Sequence, residues 1–164
     1  MKAWLGLGSN LQHPVAQLRR VLKRLSETKG ITVKKVSSFY CTPPWVDEEQ
    51  DDFVNAVAQI ETDLEPVPLL QVLQSIEDVM GRERNDRRWG PRLIDIDLLL
   101  YADRTFCSDE LELPHPRMQE RAFVLLPLSE LDKQLSIPGY GRIDTLLPGL
   151  DCGGITRLGS GYEE

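Results

Sequence analysis

Asp95 and Asp97 stand two residues apart in Ile94-Asp95-Ile96-Asp97-Leu98-Leu99-Leu100-Tyr101, an otherwise apolar run. In a strand, alternate residues project to one face, so the two carboxylates lie roughly 6.7 Å apart at about 3.3 Å of rise per residue. At an effective dielectric near 20, unit charges at that separation repel by roughly 2–3 kcal/mol before desolvation is counted. A cation should compensate. Oxygen ligands held rigidly on one face suit Mg²⁺, which takes one or two carboxylates and completes its shell with water and substrate phosphates. A simpler arrangement, each Asp paired with an Arg, accounts for the same two residues.

The preceding segment supplies such cations. Residues 82–92 contain Arg82, Arg84, Arg87, Arg88 and Arg92 against Glu83 and Asp86, a local charge of +3 in a chain of −7. A guanidinium presents a planar fork of donors that grips phosphate oxygens, and this density of Arg beside two carboxylates suits a polyphosphate cradle. Trp89 stands in the same loop.

Both groups need a scaffold. Residues 3–7 read as a short strand ending in the turn Gly8-Ser9-Asn10. Pro14 suits a first helical position, and Val15, Leu18, Val21, Leu22 and Leu25 keep a helical period that Gly30 stops. Residues 31–40, rich in β-branched and aromatic side chains, read as one strand. Residues 41–52, with Pro43-Pro44 and a run of acids, read as a loop long enough to carry function. Residues 53–62 alternate, which puts Val54, Ala56, Ala58 and Ile60 on one face and Phe53, Asn55, Val57 and Gln59 on the other. Pro66 or Pro68 opens a second helix with a stripe of Leu69, Leu70, Leu73, Ile76 and Met80, ended by Gly81.

The order is strand, helix, strand, strand, helix, strand. It predicts an α/β (α+β) fold of ferredoxin-like type, an antiparallel sheet with helices on one face. Further on, residues 111–113 read as a short strand, 117–126 as a helix or turn, and 144–147 as a short helix. Residues 1–147 are expected to form a single domain, and 148–164, with five Gly in seventeen residues, a mobile tail.

Composition narrows the function. A chain of 164 residues, 41% hydrophobic and 27% charged, is globular and of one-domain size. The net charge of −7 argues against a general binder of nucleic acid or anionic membrane. Cys41, Cys107 and Cys152 are odd in number and lack metal-ligand spacing, which suits reduced thiols in a cytoplasm. The amino terminus is too short in apolar residues for a signal-peptide core, and no run approaches the roughly 20 residues of a membrane span.

The run from Arg88 to Leu99 resembles the signature of the 6-hydroxymethyl-7,8-dihydropterin pyrophosphokinase family. Gly8-Ser9-Asn10, Ser38-Phe39-Tyr40 with Thr42-Pro43-Pro44, Phe53-Val54-Asn55-Ala56, Leu113-Pro114-His115-Pro116-Arg117 and Arg121-Ala122-Phe123 also resemble that family, in its order, over roughly residues 2–138. The resemblance implies transfer of a diphosphate from ATP to a pterin alcohol, giving AMP and the pterin diphosphate in folate biosynthesis, by a cytoplasmic monomer. It implies two Mg²⁺ on Asp95 and Asp97, with Arg82 and Arg92 assisting catalysis. Arg84, Arg88, Trp89, His115 and Arg121 would bind the nucleotide, with Gln74 and Glu77 at its far end. Phe53 and Phe123 would sandwich the pterin, Asn55 and Thr42 would read its edge, and Pro43 and Trp45 would shape the rim. The family often has Tyr where Phe53 stands and an aliphatic residue where Trp45 stands; both departures keep an apolar surface. The base that takes the hydroxyl proton stays open between metal-assisted ionisation and Asp97.

Two rivals use the same residues. A metal-dependent phosphodiesterase would need a further Asp/His ligand set, and a non-catalytic ferredoxin-like module would be either a small-molecule sensor, which has no use for two facing carboxylates, or an RNA binder, which would need the aromatic strand motif of such domains. The sequence has neither. Metal binding and structural ion pairing by the Asp pair are separated by stability. Asp95→Ala and Asp97→Ala should melt at or above the wild-type temperature in metal-free buffer, because each relieves like-charge repulsion; melting well below wild type would favour structural ion pairs.

Overall fold

The computed structural model describes residues 1–10, 13–42, 53–82 and 94–159. The elements are β1 (Lys2–Ser9), α1 (Pro14–Ser26), β2 (Ile31–Val36), β3 (Phe39–Thr42), β4 (Phe53–Thr62), α2 (Pro66–Arg82) and β5 (Asp95–Tyr101). They continue with β6 (Phe106–Cys107), β7 (Glu112–Leu113), a 3-10 turn (Met118–Glu120), α3 (Ala122–Leu131), β8 (Ser136–Ile137), β9 (Gly141–Arg142), α4 (Ile143–Leu146) and β10 (Thr156–Gly159). This is a mixed α/β fold with an antiparallel sheet. Its main sheet runs β10-β3-β4-β1-β5, with β2 also paired to β4.

The sheet is buried on both faces. Leu5, Leu7, Ala56, Ala58, Ile60, Ile96 and Leu98 pack with Leu18, Leu22 and Leu25 of α1 and Leu69, Leu73 and Met80 of α2. On the opposite face Trp4, Val57, Leu99 and Leu100 pack against Val124, Leu125 and Leu128 of α3. Helices therefore cover both faces, where the sequence suggested one, because α3 carries an apolar surface of its own. The even alternation of β4 puts Val54, Ala56, Ala58 and Ile60 in the first core as expected.

Three boundaries differ from expectation. The predicted strand 31–40 is two strands: at the break, Ser37 turns its backbone and hydroxyl toward Val57, with its N–H donating to the Val57 carbonyl and its Oγ accepting the Val57 N–H, both at 2.9 Å. α2 runs one residue past Gly81. The segment expected to be a mobile tail is built into the sheet as far as it is described. Its β10 pairs with β3, Thr156 opposite Cys41, Arg157 opposite Tyr40 and Gly159 opposite Phe39. The glycines suggested freedom, but Thr156, Arg157 and Gly159 have the edge of β3 to pair with.

One polar cluster ties α3 to this edge. Glu130 Oε1 accepts the Ser38 N–H at 2.9 Å and the Tyr40 hydroxyl at 2.8 Å, and Oε2 accepts the Ser38 hydroxyl at 2.8 Å. Arg157 Nε donates to Ser38 Oγ at 2.9 Å, and its Nη2 lies 3.6 Å from Glu130 Oε2. Burial raises Tyr40, and the bond to the Glu130 carboxylate raises it further, to about 12. Burial pushes Glu130 up, but the bonds from Ser38 and Tyr40 together with the Arg157 charge outweigh it and hold the carboxyl below its ordinary value.

The signs follow. A carboxyl whose folded pKa is depressed contributes stability above its unfolded value and loses it as pH falls through the folded one; a raised Tyr contributes below its unfolded value and loses that as pH climbs from about 10 to about 12. With the Glu130 side chain 30% exposed, the cluster should be worth roughly 1–2 kcal/mol after solvent screening. Urea unfolding should show wild type losing stability relative to Glu130→Gln below pH 4 and relative to Tyr40→Phe above pH 10, each mutant having a flatter profile on its own side.

Candidate active site

β1 and β5 pair with Gly8 opposite Asp95 and Gly6 opposite Asp97. On its other side β1 meets β4 with Gly8 opposite Asn55 and Gly6 opposite Val57. β3 then sets Tyr40 opposite Asn55 and Thr42 opposite Phe53. Cross-strand partners share a face. Asp95, Asp97, Asn55, Phe53 and Thr42 therefore lie on one patch floored by bare glycine backbone.

The wall above this patch is the 3-10 turn and α3, which contribute Arg117, Glu120, Arg121 and Phe123 to a cavity of about 580 Å³. Asn55 Nδ2 donates to Thr42 Oγ1 at 2.9 Å, which fixes the plane of the amide. A Cβ on Gly8 would come within 2.8 Å of Asn55 Oδ1, so the close approach of amide and strand needs glycine there. Arg121 stacks its guanidinium 5.8 Å from the centroid of the Phe123 ring, a cation–π arrangement at the rim.

A second cavity of about 420 Å³ opens on the other side of Asp97, which lines both. It is lined by Gln74 and Glu77 of α2, by His115, and by Asp109, Glu110 and Glu112. Glu77 Oε2 accepts the N–H of Ile96 at 2.7 Å, so α2 pins the backbone of β5 between its two aspartates. A register shift between Trp4 and Leu5 leaves Leu99 as the extra residue of a β-bulge. The Leu99 carbonyl accepts the backbone N–H of His115 at 2.9 Å. The bulge thus holds His115 beside the strand, with Nε2 3.9 Å from Asp97 Oδ1. His115 Nδ1 lies 3.0 Å from the Pro116 carbonyl; since a carbonyl only accepts, Nδ1 carries the proton in that contact. Nε2 then faces Asp97 as an acceptor, or as a donor once protonated.

Of the residues singled out from the sequence, Asp95, Asp97, Thr42, Phe53, Asn55, Phe123 and Arg121 converge on the first cavity and Gln74, Glu77 and His115 on the second. Pro43, Trp45, Arg84, Arg88, Trp89 and Arg92, and the side chain of Arg82, lie outside the described residues. The sequence reading missed Arg117 as a site residue although it stands in a quoted motif. Its backbone is left-handed, φ 70°, a conformation that disfavours any residue with a Cβ, and this strained position borders the cavity. It also missed Gly6 and Gly8 as the floor, and the acids of residues 109–112.

The donor set fits a hard divalent cation. Asp97, 49% exposed at the junction of the cavities, and Asp95 on the same strand face offer carboxylate oxygens only. Among the described residues no group of three or more His, Cys, Asp or Glu could hold a metal. A pair of carboxylates that leaves most of the shell to water and phosphate is what Mg²⁺ takes.

The family model of 7,8-dihydro-6-hydroxymethylpterin-pyrophosphokinase (HPPK) matches residues 4–133. The chain belongs to this family. It is 46% identical over 157 residues to the 2-amino-4-hydroxy-6-hydroxymethyldihydropteridine pyrophosphokinase of Methylorubrum extorquens, covering 96% of this chain and 98% of that one. The Haemophilus influenzae enzyme of the same name is 45% identical over 145 residues, 88% of this chain and 90% of its own. A crystal structure of Plasmodium falciparum HPPK-DHPS superposes with a TM-score of 0.72 at 17% identity over 90% of this chain, which shows the shared fold. This chain spans 45% of that one.

The contact of Gly8 with Asn55 is testable without any ligand. Gly8→Ala should destabilise by about 1–3 kcal/mol through the clash with the amide, and Gly8→Ala combined with Asn55→Ala should recover about 1 kcal/mol of that in a double-mutant cycle. Strict additivity in urea unfolding would place the strain elsewhere.

Proposed function

We propose that this protein transfers a diphosphate from ATP to 6-hydroxymethyl-7,8-dihydropterin, releasing AMP and the pterin diphosphate, as a step of folate biosynthesis. The observation that carries the reading is the meeting of two unlike cavities at Asp97. The first has aromatic faces in Phe53 and Phe123 and an oriented amide in Asn55, which suits a flat ring that donates and accepts on its edge. The second is polar and is reached from the same carboxylate. Membership of the family supports both assignments.

On this reading Asn55 and Thr42 read the pterin edge, Phe53 and Phe123 hold its faces, and Pro43 and Trp45 close the rim. Gln74 and Glu77 meet the far end of the nucleotide, while His115, Arg121, Arg84, Arg88 and Trp89 hold the triphosphate. Arg82 and Arg92 stabilise charge on the transferring group. Asp95 and Asp97 would hold Mg²⁺, which when bound supplies charge neutralisation along the triphosphate. Orientation does the remaining work: Asn55 and Asp97 line one cavity and Asp97 also lines the other, so an alcohol carried by a ring on Asn55 would meet the nucleotide where the cavities join. Asp97 is within the same junction to receive the alcohol proton.

We further propose that the core is ferredoxin-like, with β2 and β3 as two halves of its second strand, and that the protein acts as a cytoplasmic monomer. Among the described residues no helix is long and apolar enough to cross a membrane. A chromatographic assay with Mg²⁺, ATP and the reduced pterin alcohol should give AMP as the nucleotide product, and chelation should abolish it. ADP alone, or undiminished activity under chelation, would refute the assignment.

A further inference from the structure

The Glu130 cluster lies outside both cavities, yet its geometry reaches the ring-binding one. Phe123 and Glu130 are seven residues apart on α3, two helical turns and roughly 10 Å along the axis, so they share one helix face. One end of that face lines the first cavity through Phe123, and the other is bound to β3 through Ser38 and Tyr40. Tyr40 is the cross-strand partner of Asn55, and two residues on in β3 Thr42 orients the Asn55 amide. A single short strand therefore anchors the helix that carries Phe123 and the amide that stands across from it. The cluster is completed by Arg157, the cross-strand partner of Tyr40 on β10, which lies beyond residues 4–133 of the family model.

We infer that Arg157, Glu130, Ser38 and Tyr40 form a positioning clamp that sets the spacing between α3 and the sheet, and so the width and ring affinity of the cavity between Phe123 and Asn55. This rests on the pterin reading of that cavity. The charge arrangement suits a clamp. Glu130 has three hydrogen-bond donors, but its side chain stays partly exposed, and Arg157, with its side chain 62% exposed, bridges Ser38 and the carboxylate from outside. Because the apolar contacts of Val124, Leu125 and Leu128 keep α3 on the sheet while its polar bonds to β3 sit at Glu130, loss of the bridging guanidinium should let the helix shift relative to β3 without unfolding either. A displacement of a few tenths of an ångström matters to a site that grips a flat ring on both faces.

The test is equilibrium binding of the fluorescent ring compound 6-hydroxymethylpterin, with and without Mg-ATP, alongside steady-state KM values for the reduced pterin alcohol and for ATP. Arg157→Ala should weaken ring binding and raise the pterin KM by roughly five- to tenfold, with the ATP KM within about twofold. Its melting temperature should stay within about 2 °C of wild type, as for a surface substitution. Arg157→Lys, which keeps a cation beside Glu130, should restore ring affinity to within about twofold. Glu130→Gln provides a second route and should follow Arg157→Ala in sign. Unchanged ring affinity in both Arg157→Ala and Glu130→Gln would overturn the inference, as would equal increases in both KM values. A wild-type protein that binds the ring but forms no AMP would overturn the proposed reaction and leave the binding comparison to decide the clamp. One that does not bind the ring would overturn both.

Discussion

The antiparallel register of β1 against β5 is the constraint on which the site depends. It sets Asp95 and Asp97 opposite Gly8 and Gly6, so each carboxylate has a cross-strand partner in β1 that carries no side chain. Any other residue at those positions would fill the floor, and at Gly8 it would also drive the Asn55 amide from Thr42. The same pairing creates the bulge at Leu99, whose carbonyl seats His115 beside Asp97. Glu77 holds the strand from α2 by accepting the Ile96 N–H between the two aspartates. Carboxylates, amide and imidazole are thus placed by main-chain hydrogen bonds, which are stiffer than the side chains they carry.

Electrostatics gives the two cavities different characters. The first is walled by rings and by Arg117 and Arg121, which stand with Glu120 across from Asp95 and Asp97. The second gathers Glu77, Asp97, Asp109, Glu110 and Glu112 around His115 in a chain that already carries −7. A bare polyphosphate would be repelled from such a lining. The Arg-rich stretch 82–92 is the counter-charge that the composition provides, and the Asp pair is a donor set that a divalent cation would fit. This explains how an acidic protein can handle an anionic substrate: the positive charge is concentrated at one place in the sequence, and the net charge elsewhere discourages other polyanions.

Much of this was legible in local pattern. Period-two alternation by itself put Asp95 with Asp97 and Phe53 with Asn55, because a strand allows only two faces, and both pairs line the first cavity. The helical stripe of α2 was readable for the same reason at period 3.6, and Leu69, Leu73, Ile76 and Met80 are all in the core. The division of residues 31–40 was not readable, since Ser37 and Ser38 leave the strand to meet partners far away in the chain. Nor was the place of β10, where Thr156 and Arg157 stand among glycines yet pair with the edge of β3.

The sequence by itself determined which side chains share a face, where β1, β4, β5 and the helices α1 and α2 lie and to which family the motifs point, since each of these follows from spacings of a few residues. Only the tertiary structure decided which faces meet. That Ser38 and Tyr40 would close on Glu130, 92 and 90 residues away, or Arg157 on Ser38 across 119, is written in no local period. The same holds for Glu77 and the Ile96 N–H, and for the cavity edge at Asp97 between rings on one side and acids on the other. Such contacts form because buried polar groups must find partners wherever the chain brings them, and that depends on the path of the whole chain.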